Sequence, residues 1–285
     1  MQMKKLSTLL NEATLILGNS GVETPRLDAE LIVQRALGIS AIEMILGADM
    51  PVKQECAERL SVLLDQRSAG VPMSHILGKR EFWSMDFTVD SNVLDPRADT
   101  ETVVSSAIRV CGNQNRRITI ADLGTGTGCI LIALLAHYRY ATGVAFEKSV
   151  KAYRVAYKNF MQHSMLARVK LRCASWERCE GKFDLIVSNP PYIKRCKIPG
   201  LQREVRCHEP LQALDGGARG MENYLQIFKV LRRCLHPHGR AILEIGEDQS
   251  TIRNEALYAG MGFCGYGLDL SGRKRCIILK RLPRT

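Results

Sequence analysis

Ile118-Thr119-Ile120-Ala121-Asp122-Leu123-Gly124-Thr125-Gly126-Thr127-Gly128 is the stretch that decides the fold. Its first half is a short apolar run, the pattern of a buried strand. Glycine then stands at every second position of the second half, and the apolar segment 130–137 reads as a helix. Strand, glycine turn and helix in that order open a β-α unit, and the alternation continues downstream. Residues 141–146 predict a strand and 150–163 a helix, and 169–173 and 183–188 predict two more strands. A helix is expected over 224–235, ended by Pro237 and Gly239, then a strand at 241–245 and a helix at 251–259. Around 264–270 and 276–279 the pattern alternates again, with Ser271-Gly272 between, which predicts a closing antiparallel pair. Repeated β-α units imply an α/β fold with a mostly parallel, doubly wound sheet, whose ligands bind at the carboxyl ends of the strands.

Upstream of residue 75 no strand pattern occurs. Leu6, Leu9, Leu10, Ala13, Ile16 and Leu17 share one helical face, and Gly18 ends it. Thr24 is placed to cap a second helix with Pro25 at its first position and Gly38 at its end. Leu27, Leu31, Val33 and Leu37 are its apolar residues. Ser40-Ala41-Ile42-Glu43 is a capping box for a short third helix. Pro51 is expected to open a fourth, with Cys56, Leu60, Leu63 and Leu64 inward. Residues 1–72 therefore predict a small helical bundle. In 82–90, Met85, Phe87 and Val89 alternate with Asp86, Thr88 and Asp90, the period of a strand. With a turn at Asp90-Ser91-Asn92 and a return at Val93-Leu94, residues 73–95 predict a β-hairpin connector. The remaining residues, 96–285, form the sheet domain.

The 285 residues suffice for one large domain or two smaller ones. With 46% hydrophobic and 24% charged residues, the composition is that of a globular chain rather than a disordered one. No apolar run approaches the roughly 20 residues that span a bilayer. Asn11-Glu12 interrupts the apolar residues after Lys4-Lys5, so no signal peptide is expected and a cytoplasmic location is. The ten cysteines are scattered, none as C-x-x-C and none with histidines at zinc spacing. They predict no metal site and mostly reduced core thiols. A net charge of +11 suits an acidic partner or proximity to nucleic acid, yet its densest groups, such as Lys194-Arg195-Cys196-Lys197, read as solvated surface.

Four features mark four successive strand ends. The glycines after the first strand let a ligand approach the backbone closely. A dinucleotide fingerprint would place its third glycine at Cys129, and here it comes one residue early, at Gly128. That favours S-adenosylmethionine (SAM), whose amino-acid end needs no pyrophosphate site, over NAD. Glu147 ends the second strand, where a carboxylate accepts both ribose hydroxyl protons or simply complements a helix N-terminus. Trp176 follows the third strand, and either stacks on adenine or packs in the core. Asn189-Pro190-Pro191-Tyr192 follows the fourth. Pro190 pushes Asn189 into an extended backbone, and two prolines remove two donors. The carbonyls of Asn189 and Pro190 are then left without ladder partners beside a free amide and a ring, which suits gripping a planar N–H group.

Further residues carry a resemblance. Residues 21–30 (Gly-Val-Glu-Thr-Pro-Arg-Leu-Asp-Ala-Glu), Ile76-Leu77-Gly78, Arg80-Glu81-Phe82-Trp83, Pro96-Arg97 with Asp99-Thr100-Glu101-Thr102, His208-Glu209-Pro210, Ala213-Leu214-Asp215-Gly216-Gly217 and Leu243-Glu244-Ile245-Gly246 join the two loops above. Together they make the chain similar to the HemK/PrmC family, protein-(glutamine-N5) methyltransferases of peptide chain release factors. The resemblance implies a Rossmann-like class I SAM-dependent methyltransferase domain behind the helical bundle. It implies SAM contacts at Gly124, Thr125, Gly126, Thr127, Gly128, Glu147, Trp176 and Asn189. It places the substrate glutamine, that of a Gly-Gly-Gln motif, against Asn189, Pro190, Pro191 and Tyr192, with Asn189, Pro190 and Tyr192 in the catalytic role. The bundle would recognise the release factor, and the enzyme is expected to be a monomer with no membrane or nucleic-acid partner. Departures from the family pattern are Glu147 for the usual Asp, Ser175 for the usual acid, Ala98 for a proline and Asp95 for an apolar residue. The Asn-Pro-Pro-Tyr motif alone is shared with adenine-N6 methyltransferases of DNA or RNA, which is the alternative reading. A DNA enzyme normally carries a sizeable recognition insertion, and this chain has none. A non-enzymatic SAM-binding module would leave the motif unexplained.

Overall fold

The computed structural model describes residues 4–283. The outermost positions of the first and last expected domains, 1–3 and 284–285, lie outside the described residues. The chain begins with helices α1 (Leu6–Asn19), α2 (Pro25–Leu37), α3 (Ala41–Leu46), α4 (Gln54–Ser68) and α5 (Met73–Leu77), then strands β1 (Lys79–Phe82) and β2 (Met85–Thr88). It continues with α6 (Glu101–Cys111), β3 (Thr119–Leu123), α7 (Cys129–His137), β4 (Thr142–Glu147), α8 (Val150–Gln162), β5 (Val169–Cys173) and β6 (Phe183–Ser188). Last come α9 (Arg203–His208), α10 (Leu211–Leu214), α11 (Glu222–Cys234), β7 (Leu235–Glu244), α12 (Ile252–Tyr258), β8 (Met261–Leu268) and β9 (Lys274–Arg281).

Two compact units result. One holds the described residues up to Gly78 together with Arg203–His208, and the other holds Lys79–Gln202 and the chain from Glu209 onward. In the first, α1, α2, α4 and α5 close over a core that includes Leu10, Ala13, Leu17, Ile32, Val33, Leu60 and Leu64. Ser40 and Glu43 form the capping box of α3, each side chain bonded to the other's backbone N–H. Gly38 ends α2 in the left-handed conformation at φ 71°. Three details differ from expectation. Thr24 occupies the N-cap position, yet its hydroxyl donates to Asp28 Oδ1 at 3.0 Å rather than serving a backbone N–H. Leu27 is exposed, and Ala29, Ile32 and Ala36 fill its expected place inside. Pro51 bridges Lys5 outside any helix, and α4 starts three residues later. α9 belongs to this unit through Arg67. That guanidinium is almost fully buried, contacts Asp28 through Nε at 2.6 Å and donates through Nη1 to Glu204. Arg67 Nη1 also donates to the carbonyl of Val71 at 3.1 Å.

The second unit is a seven-stranded sheet of order β5-β4-β3-β6-β7-β9-β8. β5, β4, β3, β6 and β7 run parallel, and β9 pairs antiparallel with both β7 and β8, which closes the sheet as the alternation predicted. Its two apolar layers include Ile120, Leu131, Leu134 and Phe160 on one side and Ile186, Tyr224, Phe228 and Leu243 on the other. Two elements were misread from sequence. The hairpin turns at Trp83-Ser84, both at positive φ (53° and 56°), so β1 precedes the segment read as one strand and β2 is only its second half. Non-glycine residues rarely adopt that conformation, so no turn signal marks the position. β7 begins at Leu235 and runs through Pro237 and Gly239, with a register irregularity opposite Phe183–Leu185 that accommodates them. The hairpin groups with the sheet unit, and residues 73–77, expected in the connector, are α5 of the helical unit.

Ten free cysteines are present, but only Cys129, Cys179, Cys234 and Cys276 are buried, and Cys173, Cys196, Cys207 and Cys264 are exposed. The expectation of mostly core thiols is thereby corrected. Among the described residues, no helix is long and apolar enough to cross a membrane.

Candidate active site

The sheet order reverses at β3. The chain passes from β3 outward to β4 and β5, then returns to β6 on the other side of β3. The carboxyl ends of β3 and β6 therefore flank the topological switch point, where open α/β sheets bind their ligands. The hydroxyl of Ser188, last in β6, donates to the carbonyl of Leu123, last in β3, at 2.5 Å. That bond ties the two strand ends together. A cleft opens there, with about 870 Å³ of empty space including its open mouth.

The glycine loop forms one wall. Gly124, Gly126 and Gly128 all sit at positive φ (76°, 55° and 86°). A side chain at Gly124 would also meet the Trp176 ring at 3.1 Å. The N–H groups of Gly124 and Thr125 both donate to the Phe146 carbonyl at 2.9 Å, which seats the loop on the end of β4. Asn159 holds the loop from beneath. Its amide donates to the carbonyls of Thr127 (2.9 Å) and Thr88 (3.0 Å), and its Oδ1 accepts from Thr88 N (2.8 Å), all fully buried at that side chain. Loop and hairpin are thus stapled by one residue that the sequence did not single out.

Glu147 lies beside the loop with both oxygens aimed by backbone amides. Gly126 N donates to Oε2 at 3.1 Å and Ser149 N to Oε1 at 2.9 Å. Each oxygen keeps a lone pair for a further donor, so the longer Glu presents the two acceptors that a ribose diol needs. Asp122, fully buried under the loop, accepts the Thr125 hydroxyl on Oδ2, while its Oδ1 has no partner. Burial raises its carboxyl to about 7, opposed by the Thr125 bond and assisted by the Glu147 charge. Trp176 is 7% exposed, packs in the core and lines the cleft, with its Nε1 buried and without a partner. Ser175 is occupied as a cap, accepting from Glu177 N at 3.3 Å.

Asn189-Pro190-Pro191-Tyr192 forms the opposite wall. Asn189 and Pro191 line the cleft together with Gly124, Thr125, Gly126, Thr127, Glu147 and Trp176, whereas Gly128, Pro190 and Tyr192 adjoin these residues in the chain and are not among its lining. The corner is held at four points. Asn223 Nδ2 donates to the Pro191 carbonyl at 2.7 Å, and Gln249 Nε2 to the Tyr192 carbonyl at 2.9 Å. The Tyr192 hydroxyl donates to Glu244 Oε1 at 3.2 Å, and Asn189 Nδ2 to Thr100 Oγ1 at 3.2 Å. Among the described residues, no hydrogen bond reaches the carbonyls of Asn189 and Pro190 or the Asn189 side-chain oxygen. Ile193 N donates to the Leu214 carbonyl, and Gly216 N to the Ile193 carbonyl. A Cβ at Gly216 would stand 2.6 Å from the Tyr192 carbonyl carbon, so the Ala213–Gly217 segment needs glycine there to lie against the corner. Burial and the neighbouring Glu244 push the Tyr192 phenol well above its ordinary range, so it stays a donor. Burial likewise raises Glu244 to about 7, against hydrogen bonds from Thr100 and Tyr192 that favour the carboxylate.

A doubly wound sheet with such a loop, acid and corner around its switch point is the architecture of a methyltransferase. The solved hMettl16 catalytic domain in complex with a MAT2A 3′UTR hairpin shares this fold at a TM-score of 0.54 and 16% identity, over 77% of this chain and 81% of that one. Residues 107–201 match the methyltransferase small domain, and residues 8–78 match the PrmC N-terminal domain. The chain is 39% identical over 282 residues to the release factor glutamine methyltransferase of Rhodospirillum rubrum, covering 97% of this chain and 85% of that relative. It is 35% identical over 268 residues to the enzyme of that name in Agrobacterium fabrum, covering 92% of each. The chain belongs to the release factor glutamine methyltransferase family.

Proposed function

We propose that this enzyme transfers the methyl group of SAM to the side-chain amide nitrogen of a glutamine in peptide chain release factors, the glutamine of their Gly-Gly-Gln motif. The observation that carries this reading is the pair of unbonded acceptors at the corner, the amide oxygen of Asn189, which lines the cleft with the glycine loop and Glu147, and the carbonyl of the adjoining Pro190. Gly124 to Gly128, Glu147 and Trp176 would hold SAM, which supplies a methyl activated on a sulfonium. Glu147 gives that end of the cleft the negative character that suits a cationic ligand.

An amide nitrogen is a poor nucleophile because its lone pair is delocalised into its carbonyl. Asn189 Oδ1 accepts one N–H of the glutamine and the Pro190 carbonyl accepts the other. With both hydrogens engaged, the nitrogen is turned and drawn toward its pyramidal form, and its lone pair points across the cleft. Tyr192, fixed by its hydroxyl, completes the corner beside the amide. The rate then comes from positioning and from hydrogen bonds that strengthen in the transition state; the nitrogen that gains the methyl group loses one hydrogen as a proton, which the cationic product is acidic enough to release to water, so no strong base is required. Residues 1–72 serve to recognise the release factor, and the enzyme acts as a cytoplasmic monomer.

The test offers purified release factor and plasmid DNA to the enzyme with labelled SAM. Label is expected on a glutamine of the release factor, whereas label on DNA alone overturns the reading. Asn189→Ala should lower transfer by about 10²–10³-fold, the usual loss for one group aimed at the reacting centre, with SAM affinity little changed.

A further inference from the structure

We propose that the amino-end edge of the sheet, opposite the cleft, binds single-stranded RNA, with Tyr140 as a stacking platform for a base and Arg117 and Arg139 as phosphate contacts. The net charge of +11 suits an acidic partner, and the methyl-transfer site makes no use of it. That the strand is RNA rests on the proposed acceptor being a translation factor, which works among RNA. The RNA is a tether here and not a substrate.

Parallel strands all begin at one edge, so the segments that enter them gather there. Across the neighbouring strands β5, β4, β3, β6 and β7, that edge carries Arg168 before β5, Arg139 and Tyr140 before β4, and Arg116 and Arg117 before β3. Lys182 stands before β6, and Arg240 in β7 pairs with Leu185 near the start of β6. With strands about 4.8 Å apart, the row is about 20 Å long. Among the described residues, none of these cations is ion-paired with a carboxylate, whereas Arg67, Arg97, Arg195 and Arg275 all are. Several are held by backbone carbonyls instead, which fixes a cation without cancelling its charge. Arg116 Nη1 donates to the Cys111 carbonyl at 3.0 Å, and Arg168 Nη2 to that of Leu135 at 2.9 Å. Lys182 Nζ donates to the Arg233 carbonyl at 2.6 Å, and Arg240 Nη1 to that of Gly239 at 3.0 Å. Glu180 and Asp184 are acids beside this row, and Asp184 Oδ2 already accepts from Thr119 N at 2.9 Å and Thr119 Oγ1 at 3.0 Å.

Arg117 and Arg139 both lie over the Tyr140 ring, with Cζ 6.0 and 5.1 Å from its centroid. The ring is still 47% exposed, while Tyr138, two residues earlier, is fully buried. A half-exposed ring between guanidiniums combines what a single strand needs, a π-face for a base and cations for the phosphates beside it. A duplex keeps its bases stacked inside and could not use the ring. An acidic protein segment would use the charges and leave the ring idle. The edge lies at the far end of the strands from the glycine loop and the Asn-Pro-Pro-Tyr corner, and none of its cations lines the cleft, so bound RNA would leave the cleft open.

The experiment measures binding of a labelled, unstructured oligoribonucleotide of about 12 nucleotides to the full chain by fluorescence anisotropy, at several salt concentrations and without release factor. The parent should bind with a dissociation constant of about 1–100 μM near physiological salt. Arg117→Gln combined with Arg139→Gln should weaken binding roughly tenfold or more. It should also flatten the slope of log affinity against log salt by about 1.4, or about 0.7 for each lost phosphate contact. Tyr140→Leu keeps an apolar side chain and should weaken binding roughly five- to a hundredfold. The control, Arg273→Gln combined with Lys274→Gln, removes the same charge beside the carboxyl end of β7, where Lys274 lies 4.6 Å over the Tyr266 ring. It should change binding less than about threefold, since salt-screened charges at the far edge lie beyond a Debye length. No binding at about 1 mM, full binding in Tyr140→Leu, or equal weakening in the control overturns the proposal. So does equally tight binding of an acidic peptide. Methylation of free release factor by the Arg117 and Arg139 variant should stay at the parent rate, and its loss would assign this edge to the protein acceptor instead. Failure of the release-factor reading looks different, because label would then appear elsewhere while oligonucleotide binding is read without any acceptor.

Discussion

The two walls of the cleft reach a fixed shape by opposite means. The glycine loop after β3 is shaped by its own backbone, with three glycines at positive φ. The corner after β6 has prolines that restrict the backbone, and it is fastened by side chains of Thr100, Asn223, Glu244 and Gln249 that arrive from elsewhere in the chain. A cofactor is the same molecule in every turnover, so a wall of backbone amides suits it. An acceptor amide must be turned to one orientation, and that requires directional side chains with supports of their own. Damage to the first wall should therefore appear in SAM affinity, and damage to the second in kcat.

The largest test of that division is Asn159→Leu, because the glycine loop does have one side-chain support. It would leave the part-buried N–H and carbonyl of Thr88 and the carbonyl of Thr127 without their Asn159 partner. At about 1–3 kcal/mol for each orphaned group, the sheet unit should lose roughly 3 kcal/mol or more in denaturant unfolding, with weaker SAM binding. Gly124→Ala should cost about 1–3 kcal/mol, since a Cβ must enter positive φ and meet the Trp176 ring. Its functional loss should fall on the SAM dissociation constant measured by calorimetry. Gln249→Leu should cost about 1–3 kcal/mol by stranding the Tyr192 carbonyl, and here the functional loss should fall on kcat. If Gly124→Ala lowered kcat while Gln249→Leu weakened SAM, the contrast between the walls would be broken.

The last test of the two walls is in pH. Asp122 and Glu244, one at each wall, have carboxyls raised by burial to about 7. A carboxyl raised in the folded state contributes stability that is whole below its unfolded pKa and lost as pH rises through the folded value. Both groups should thus draw stability down between about pH 4 and pH 7, by at most about 1.4 kcal/mol per pH unit each. Unfolding measured across that window should show a shallower decline in Asp122→Asn and in Glu244→Gln than in the parent.

The first wall was legible in the sequence and the second only at its tip. Gly124, Gly126, Gly128 and Glu147 announce themselves by spacing after a strand, because the constraint they meet is local. Asn189 to Tyr192 are conspicuous for the same reason. Thr100, Asn159, Asn223, Glu244 and Gln249 are ordinary polar residues whose bonds to the loop, the hairpin and the corner reach across 32 to 89 residues, and only the fold brings them together. Leu243-Glu244-Ile245-Gly246 could be quoted as a resemblance, yet nothing local says what its carboxylate does. The hairpin was misplaced because Trp83 and Ser84 take a glycine-like conformation without being glycine. β7 was shortened because Pro237 and Gly239 ordinarily break strands, and here an irregular register absorbs them.

Arg67 adds a matter of timing. Its bond to Asp28 spans 39 residues, but its bond to Glu204 spans 137. A chain emerging from the ribosome can bury Arg67 against Asp28 as soon as α4 is made. It must then synthesise the glycine loop and the Asn-Pro-Pro-Tyr corner before α9 supplies the last member of the helical unit. The segment named first by the N-terminus is thus finished late, and a cut after Gly78 would give neither half its complete set of residues. Under vectorial synthesis the helical unit thus receives its last helix only after the glycine loop and the Asn-Pro-Pro-Tyr corner have been made.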